Sequence, residues 1–115
     1  MIAQCAMEKF VEKTYLYDFY GELLTEHQRR IYEAVVFDDL SYAEAAEEEN
    51  ISRQGIHDII KRCNQSLEEY ESKLHLVERF MLARKKLETI KQLASEDLDN
   101  RSVIIETADE ILEVL

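Results

Sequence analysis

The chain has 115 residues, a net charge of −11, two glycines and no proline. With 46% hydrophobic and 34% charged residues it holds enough apolar material for one modest core and almost nothing to interrupt a 3.6-residue repeat, which predicts an all-α fold. The acidic total excludes a protein that coats nucleic acid by bulk charge, because such affinity comes from neutralised phosphates and released counterions; any polyanion contact must be local.

Residues 1 to 6, Met-Ile-Ala-Gln-Cys-Ala, show no period and read as a loose extension before Met7, itself a second possible start. From about Glu8 to Leu24, Phe10, Val11, Leu16, Phe19, Tyr20, Leu23 and Leu24 form the wide apolar stripe of a helix packed on more than one neighbour. Gly21 falls inside that stripe at some cost, which points to close approach by another backbone, with a pocket as the alternative. Thr25 with Gln28 three residues on is a capping box. The helix it opens directs Ile31, Ala34, Val35 and Phe37 inward and His27, Arg29, Arg30 and Glu33 outward, until Asp38-Asp39 stops it. Arg29 and Arg30 are thereby offered to a backbone phosphate.

Residues 40–66 are the organising stretch. Ser41 with Glu44 makes a second capping box, and Ser52 can cap another helix start. Between them lies room for about two turns of helix before Asn50, a residue that tolerates a left-handed backbone and ends a helix sharply. Short helix, tight turn and second helix make a helix-turn-helix, with the preceding helix as third member of a three-helix core. Ala45 and Ala46 allow close approach, Ile51 plugs the turn, and Ile56, Ile59, Ile60 and Cys63 repeat on the inner face. Arg53, Gln54, His57, Asp58, Lys61 and Arg62 are left facing outward, the residue types that reach base edges and phosphates; a merely solvated helical hairpin is the plainer alternative.

No stop follows Ser66, so the second helix continues as a long helical C-terminal extension. Leu67, Tyr70, Leu74, Val77 and Met81 form a heptad seam, which hands over to Leu76, Phe80, Ala83, Leu87, Ile90 and Ala94, so the segment either meets two surfaces or bends near His75. These seams suit a homodimer through residues 67–94 and equally suit the C-terminal helix folding back over residues 76 to 94. Residues 95–100 break the period as a loop. The last helix, about Ser102 to Leu115, carries Ile104, Ile105, Ala108, Ile111, Leu112 and Leu115 on one face and Glu106, Asp109, Glu110 and Glu113 on the other. A short extended start at Val103-Ile104-Ile105 is possible, and the acidic face could lie near Arg84-Lys85-Lys86. The expected organisation is one domain, with residues 1–66 as a helix-turn-helix head and residues 67–115 as stalk and C-terminal helix.

Catalysis is poorly served by this pattern. Ser52, His57 and Asp58 share one helix and cannot converge as nucleophile, base and orienter. Cys5 and Cys63 lack metal-ligand spacing, His27, His57 and His75 lie on separate segments, and the acidic runs read as solvated ends, so neither metal nor cofactor is expected. The absence of a long apolar run and of a basic leader, together with a reduced Cys63 on an apolar face, points to a cytoplasmic protein with no membrane partner.

Leu24-Thr25, Gln28-Arg29, Leu40-Ser41, Glu44, Ala46 and Ile51-Ser52-Arg53-Gln54 resemble the helix-turn-helix of sigma factor region four, which reads promoter DNA. More specifically, residues 17–25 (Tyr-Asp-Phe-Tyr-Gly-Glu-Leu-Leu-Thr), Asp38-Asp39-Leu40-Ser41, residues 51–58 and Ile60-Lys61-Arg62 resemble the bacterial YlxM family over about residues 7 to 93. The resemblance implies a small cytoplasmic regulator of the signal recognition particle pathway, with the particle's RNA and GTPases as partners. Carried across, the contact positions become Ser52, Arg53, Gln54, His57, Lys61 and Arg62. Glu49 and Asn50 stand where the family commonly has a large apolar residue and glycine, and Ala45 replaces a usual isoleucine, which thins the packing beneath the recognition helix. Two uses of the outward face follow: contact with particle RNA at a loop, bulge or minor groove, which the family context favours, or sequence-specific DNA binding in a major groove.

Overall fold

The computed structural model describes residues 2–96 and 98–115, and every regular element among them is helical. Helix α1 spans Ile2–Tyr20. It therefore takes in residues 2–6, which the lack of periodicity had suggested were loose; none is glycine or proline, and extending an existing helix fixes one residue per hydrogen bond gained. Met1, also part of that expectation, lies outside the described residues. Gly21 does not sit inside the helix but begins a 3₁₀ turn, Gly21–Leu23. A Cβ there would come 3.0 Å from the Tyr17 ring, so the close approach is by an aromatic side chain one turn back rather than by another backbone.

Helix α2 (Glu26–Tyr32) opens on the expected reciprocal cap: Gln28 N–H donates to Thr25 Oγ1 at 3.2 Å and Thr25 N–H to Gln28 Oε1 at 3.0 Å. Its continuation widens into a π turn over Glu33–Phe37, with Asp38 N–H bonded to the Glu33 carbonyl, and stops at Asp39, whose φ is 57°. The wide turn carries Phe37 to the Tyr17 and Tyr32 rings, at centroid distances of 5.2 and 6.0 Å, and Tyr17 stacks on Tyr32 at 5.4 Å. Tyr32, missing from the expected inner face, is fully buried and donates its hydroxyl proton to Asn64 Oδ1 at 3.0 Å.

Helix α3 (Tyr42–Glu49) is capped by Ser41, whose Oγ accepts the Glu44 N–H at 3.1 Å; only this half of the expected box is present among the described residues. At its far end Asn50 adopts φ 57°, ψ 43°, with Asn50 N–H on the Glu47 carbonyl and Ile51 N–H on the Ala46 carbonyl, the paired bonds of a Schellman stop. Asparagine thus fills the left-handed position that glycine would take. Helix α4 (Arg53–Leu74) begins under Ser52, whose Oγ accepts the Gly55 N–H at 3.0 Å. It packs against α1, α2 and α3 through Ile56, Ile60, Cys63 and Leu67, while Ala45 and Ala46 sit buried opposite. Ile51 remains 37% exposed, so it only partly closes the turn.

The chain divides into two compact units, Met1–Leu74 and His75–Leu115. His75, at φ 57°, separates α4 from α5 (Leu76–Ser95) and rotates the phase of the apolar repeat. Leu67 and Val77 are buried while Leu74 and Met81 are exposed, so the first seam does not run through as one stripe. Within the second unit α6 (Arg101–Val114) folds back on α5, and Val103-Ile104-Ile105 are helical rather than extended. Thr107 is buried on α6 with its hydroxyl on the Val103 carbonyl at 2.8 Å. The acidic face of α6 does reach the basic cluster: Lys86 Nζ donates to Glu110 Oε2 at 2.6 Å. Asn100 Nδ2 donates to the Leu93 carbonyl at 2.9 Å, closing the connection; Asp97, within the expected loop, lies outside the described residues.

Candidate nucleic-acid interface

The Schellman stop and the Ser52 cap fix where α4 begins, and helical geometry then decides which side chains point away from the core. Ile56, Ile60 and Cys63 turn inward, so Arg53, Gln54, His57, Asp58, Lys61 and Arg62 all lie exposed on the outer side. Gln54 Nε2 donates to Asp58 Oδ1 at 3.0 Å, one turn along the helix, which occupies the single acid in the middle of this face. His57 Nδ1 stands 3.9 Å from the same carboxylate oxygen, beyond hydrogen-bond reach. Among the described residues, no carboxylate pairs with Arg53, Lys61 or Arg62. The outer face thus presents three cations against one acid that is already engaged. Ser52 serves the backbone first, since its oxygen accepts the Gly55 N–H, leaving its own proton as a donor.

Arg29 and Arg30 are placed differently. Arg30 forms a fork onto Glu49, with Nε and Nη2 each 2.8 Å from the two carboxylate oxygens, and His27 Nε2 approaches the same carboxylate at 3.4 Å. The Arg30 guanidinium holds the Glu49 carboxyl below its ordinary range. Glu49, standing where the YlxM pattern commonly has a large apolar residue, ties α2 to α3 by charge. Arg29 is half-buried against the Tyr17 hydroxyl, which also donates to Glu33, and that hydrogen bond raises the guanidinium pKa further. Both α2 arginines thus have partners within the fold, and neither adds an unpaired cation to the α4 face.

One aromatic residue escaped the sequence reading. Tyr42, the first residue of α3, is 38% exposed and its ring stands edge-on to His57, with centroids 6.0 Å apart and planes at 65°. Together they head an open groove of about 450 Å³ whose lining continues through Ile60, Lys61, Asn64, Gln65 and Glu68. The available signal was position: a residue directly after a capping serine lies in the first turn, where an aromatic side chain has no core to fill. Among the described residues no three His, Cys, Asp or Glu side chains gather as a metal site, and no helix is long and apolar enough to cross a membrane.

Comparison with known proteins agrees with this geometry. The model of a family described as "UPF0122: Putative helix-turn-helix protein, YlxM / p13 like" matches residues 7–109. UPF0122 proteins of Bacillus thuringiensis (strain Al Hakam), Bacillus cereus (strain Q1) and Bacillus anthracis (strain A0248) are each 45% identical to this chain over 91 residues, covering 79% of it and 83% of each relative.

Proposed function

The chain belongs to the UPF0122 family of YlxM / p13-like helix-turn-helix proteins, and on that premise we propose that it is a non-enzymatic, nucleic-acid-binding regulator of the signal recognition particle pathway. The observation that carries this reading is the run of unpaired cations, Arg53, Lys61 and Arg62, on the outer side of a helix whose start is fixed by two caps. In this reading they take phosphates of the particle's RNA, while Ser52, Gln54 and His57 supply further polar contacts. Arg30 joins them only if a phosphate displaces Glu49. An A-form major groove is too narrow to admit α4, so the contact is at a loop, bulge or minor groove. The protein acts in the cytoplasm and needs no cofactor.

The second unit supplies the protein contacts. Leu87 on α5 and Leu112 on α6 are 55% and 70% exposed, apolar side chains open to the particle's GTPases or to a second copy of the chain. Sequence-specific reading of duplex DNA is the competing use of the α4 face, and it has one point in its favour: Arg53 and Gln54 stand at the helix N-terminus, where major-groove readers place their base contacts.

Titration of labelled particle RNA and of random duplex DNA at several salt concentrations tests the reading. Three phosphate contacts give a salt dependence that weakens RNA binding by about 20- to 40-fold between 50 and 200 mM salt. Arg53→Glu with Lys61→Glu leaves one contact, so the same salt change costs only about threefold, and affinity drops by roughly 1 to 3 kcal/mol. Tighter binding to a defined DNA duplex favours the transcriptional reading, and unchanged binding by the double variant removes the face from consideration.

A further inference from the structure

The groove headed by Tyr42 and His57 has features that phosphate contact alone leaves unused. Two partly exposed rings stand at 65° to each other, forming a corner in which a third ring lying on one meets the edge of the other. Ile60 gives the groove an apolar floor, and Asn64 and Gln65 place amides farther along it. The Tyr32 hydroxyl already occupies Asn64 Oδ1, which fixes that amide and leaves its Nδ2 as the free donor. His57, Lys61 and Gln65 follow one another at four-residue spacing on one side of α4, about 6 Å apart along the axis. Aromatic ring, cation and amide at regular steps form a track for a single strand: a base stacks, its phosphate is neutralised, and the next base meets a hydrogen-bonding group. Glu68 closes the far end with a charge that repels further phosphates.

We propose that this groove receives an unstacked nucleobase of an RNA loop or bulge on Tyr42 and His57, with Lys61 on the adjoining phosphate and Asn64 and Gln65 toward the following base. The inference rests on the nucleic-acid reading of the α4 face and adds to it what the face selects, an unpaired base rather than a helix. Paired bases keep their faces covered by their neighbours and have no ring to offer the corner.

The test uses the full chain and two RNAs of equal length and charge, one hairpin with an unpaired loop carrying 2-aminopurine and one fully paired duplex. The wild type binds the looped RNA at least tenfold more tightly and changes the 2-aminopurine fluorescence. Tyr42→Ala weakens looped binding by about five- to a hundredfold, the range that loss of one base-stacking ring implies, while the salt slope stays unchanged because no charge is removed. Tyr42→Phe keeps the ring and stays within about twofold of wild type, with unaltered circular dichroism confirming the fold of both variants. Wild-type affinity in Tyr42→Ala, or an equal loss on paired RNA, overturns the inference. If that happens while Arg53→Glu with Lys61→Glu still weakens binding and flattens the salt slope, the phosphate reading stands and only the stacking site falls. The same hairpin made of DNA identifies the source: equal affinity overturns the assignment to RNA.

Discussion

Raising the pH loosens the first unit from its centre. Tyr32 and Cys63 are both fully buried, and burial pushes the phenol from 10.0 to about 12 and the thiol from 9.0 to about 11. The unfolded chain therefore loses each proton before the folded chain does. Stability that depends on these groups is complete below pH 9, begins to fall as Cys63 ionises in the unfolded state, and falls further above pH 10 as Tyr32 does the same. Each separation of about two pH units is worth at most about 3 kcal/mol, a large share of the stability of a small unit. Tyr32→Phe separates the effects. Its ring still stacks on Tyr17, no cavity forms, and at pH 7 only the hydrogen bond to Asn64 is lost, about 0.5 to 1.5 kcal/mol and at the low end because Asn64 is half-buried and can turn to water. Urea midpoints followed by far-ultraviolet circular dichroism from pH 8 to 12 then show a shallower alkaline decline in Tyr32→Phe, confined to the interval above pH 10. Identical slopes in variant and wild type, or a flat wild-type profile to pH 12, refute the linkage between these buried groups and folding.

Two further outcomes follow from the C-terminal end of α3. Asn50→Ala places a Cβ-bearing residue without a helpful amide at φ 57° and lowers the urea-derived stability by about 1 to 2 kcal/mol, whereas Asn50→Gly keeps or slightly raises it. Because Arg30 holds the Glu49 carboxyl below its ordinary 4.5, the stabilisation from that group is present above pH 4.5 and is lost as the pH falls below it; Glu49→Gln removes this acid limb from a plot of urea midpoint against pH between 3 and 6.

What could be read from the sequence was whatever a few neighbouring residues decide among themselves. Thr25, Ser41 and Ser52 each cap a helix through an N–H three residues later, and Asn50 stops one through its own backbone preference, so the helix-turn-helix follows from local chemistry. Periodicity failed where the backbone changed its step. The π turn after α2 inserts an extra residue per turn, which leaves Ala34, Val35 and Phe37 only half-buried and hands the deepest place to Tyr32. Likewise the shifted seams around His75 registered a change of phase, but a histidine at positive φ has no sequence signature to mark it. Charge sign was legible and charge pairing was not: Arg30 and Arg53 look alike in the sequence, yet one is forked onto Glu49 and the other faces outward with no carboxylate partner among the described residues, because partners brought together from separate helices depend on the tertiary fold.

That difference explains how a chain of net charge −11 can still present a polyanion-binding face. At physiological ionic strength charges are screened over about 8 Å, so Arg53 and Lys61, about 12 Å apart along α4, each act on what touches them rather than on a distant phosphate array. From Arg53 to Arg62, with Asp58 counted, the outer side of the helix carries a net charge of +2, three cations less one acid, enough for a few phosphates and far too little to hold an arbitrary duplex against the repulsion of the acidic body. Surplus affinity must then come from uncharged contacts that require a particular shape. The exposed Tyr42 ring beside His57 is such a contact: stacking adds binding to the right nucleic acid without adding binding to all the others.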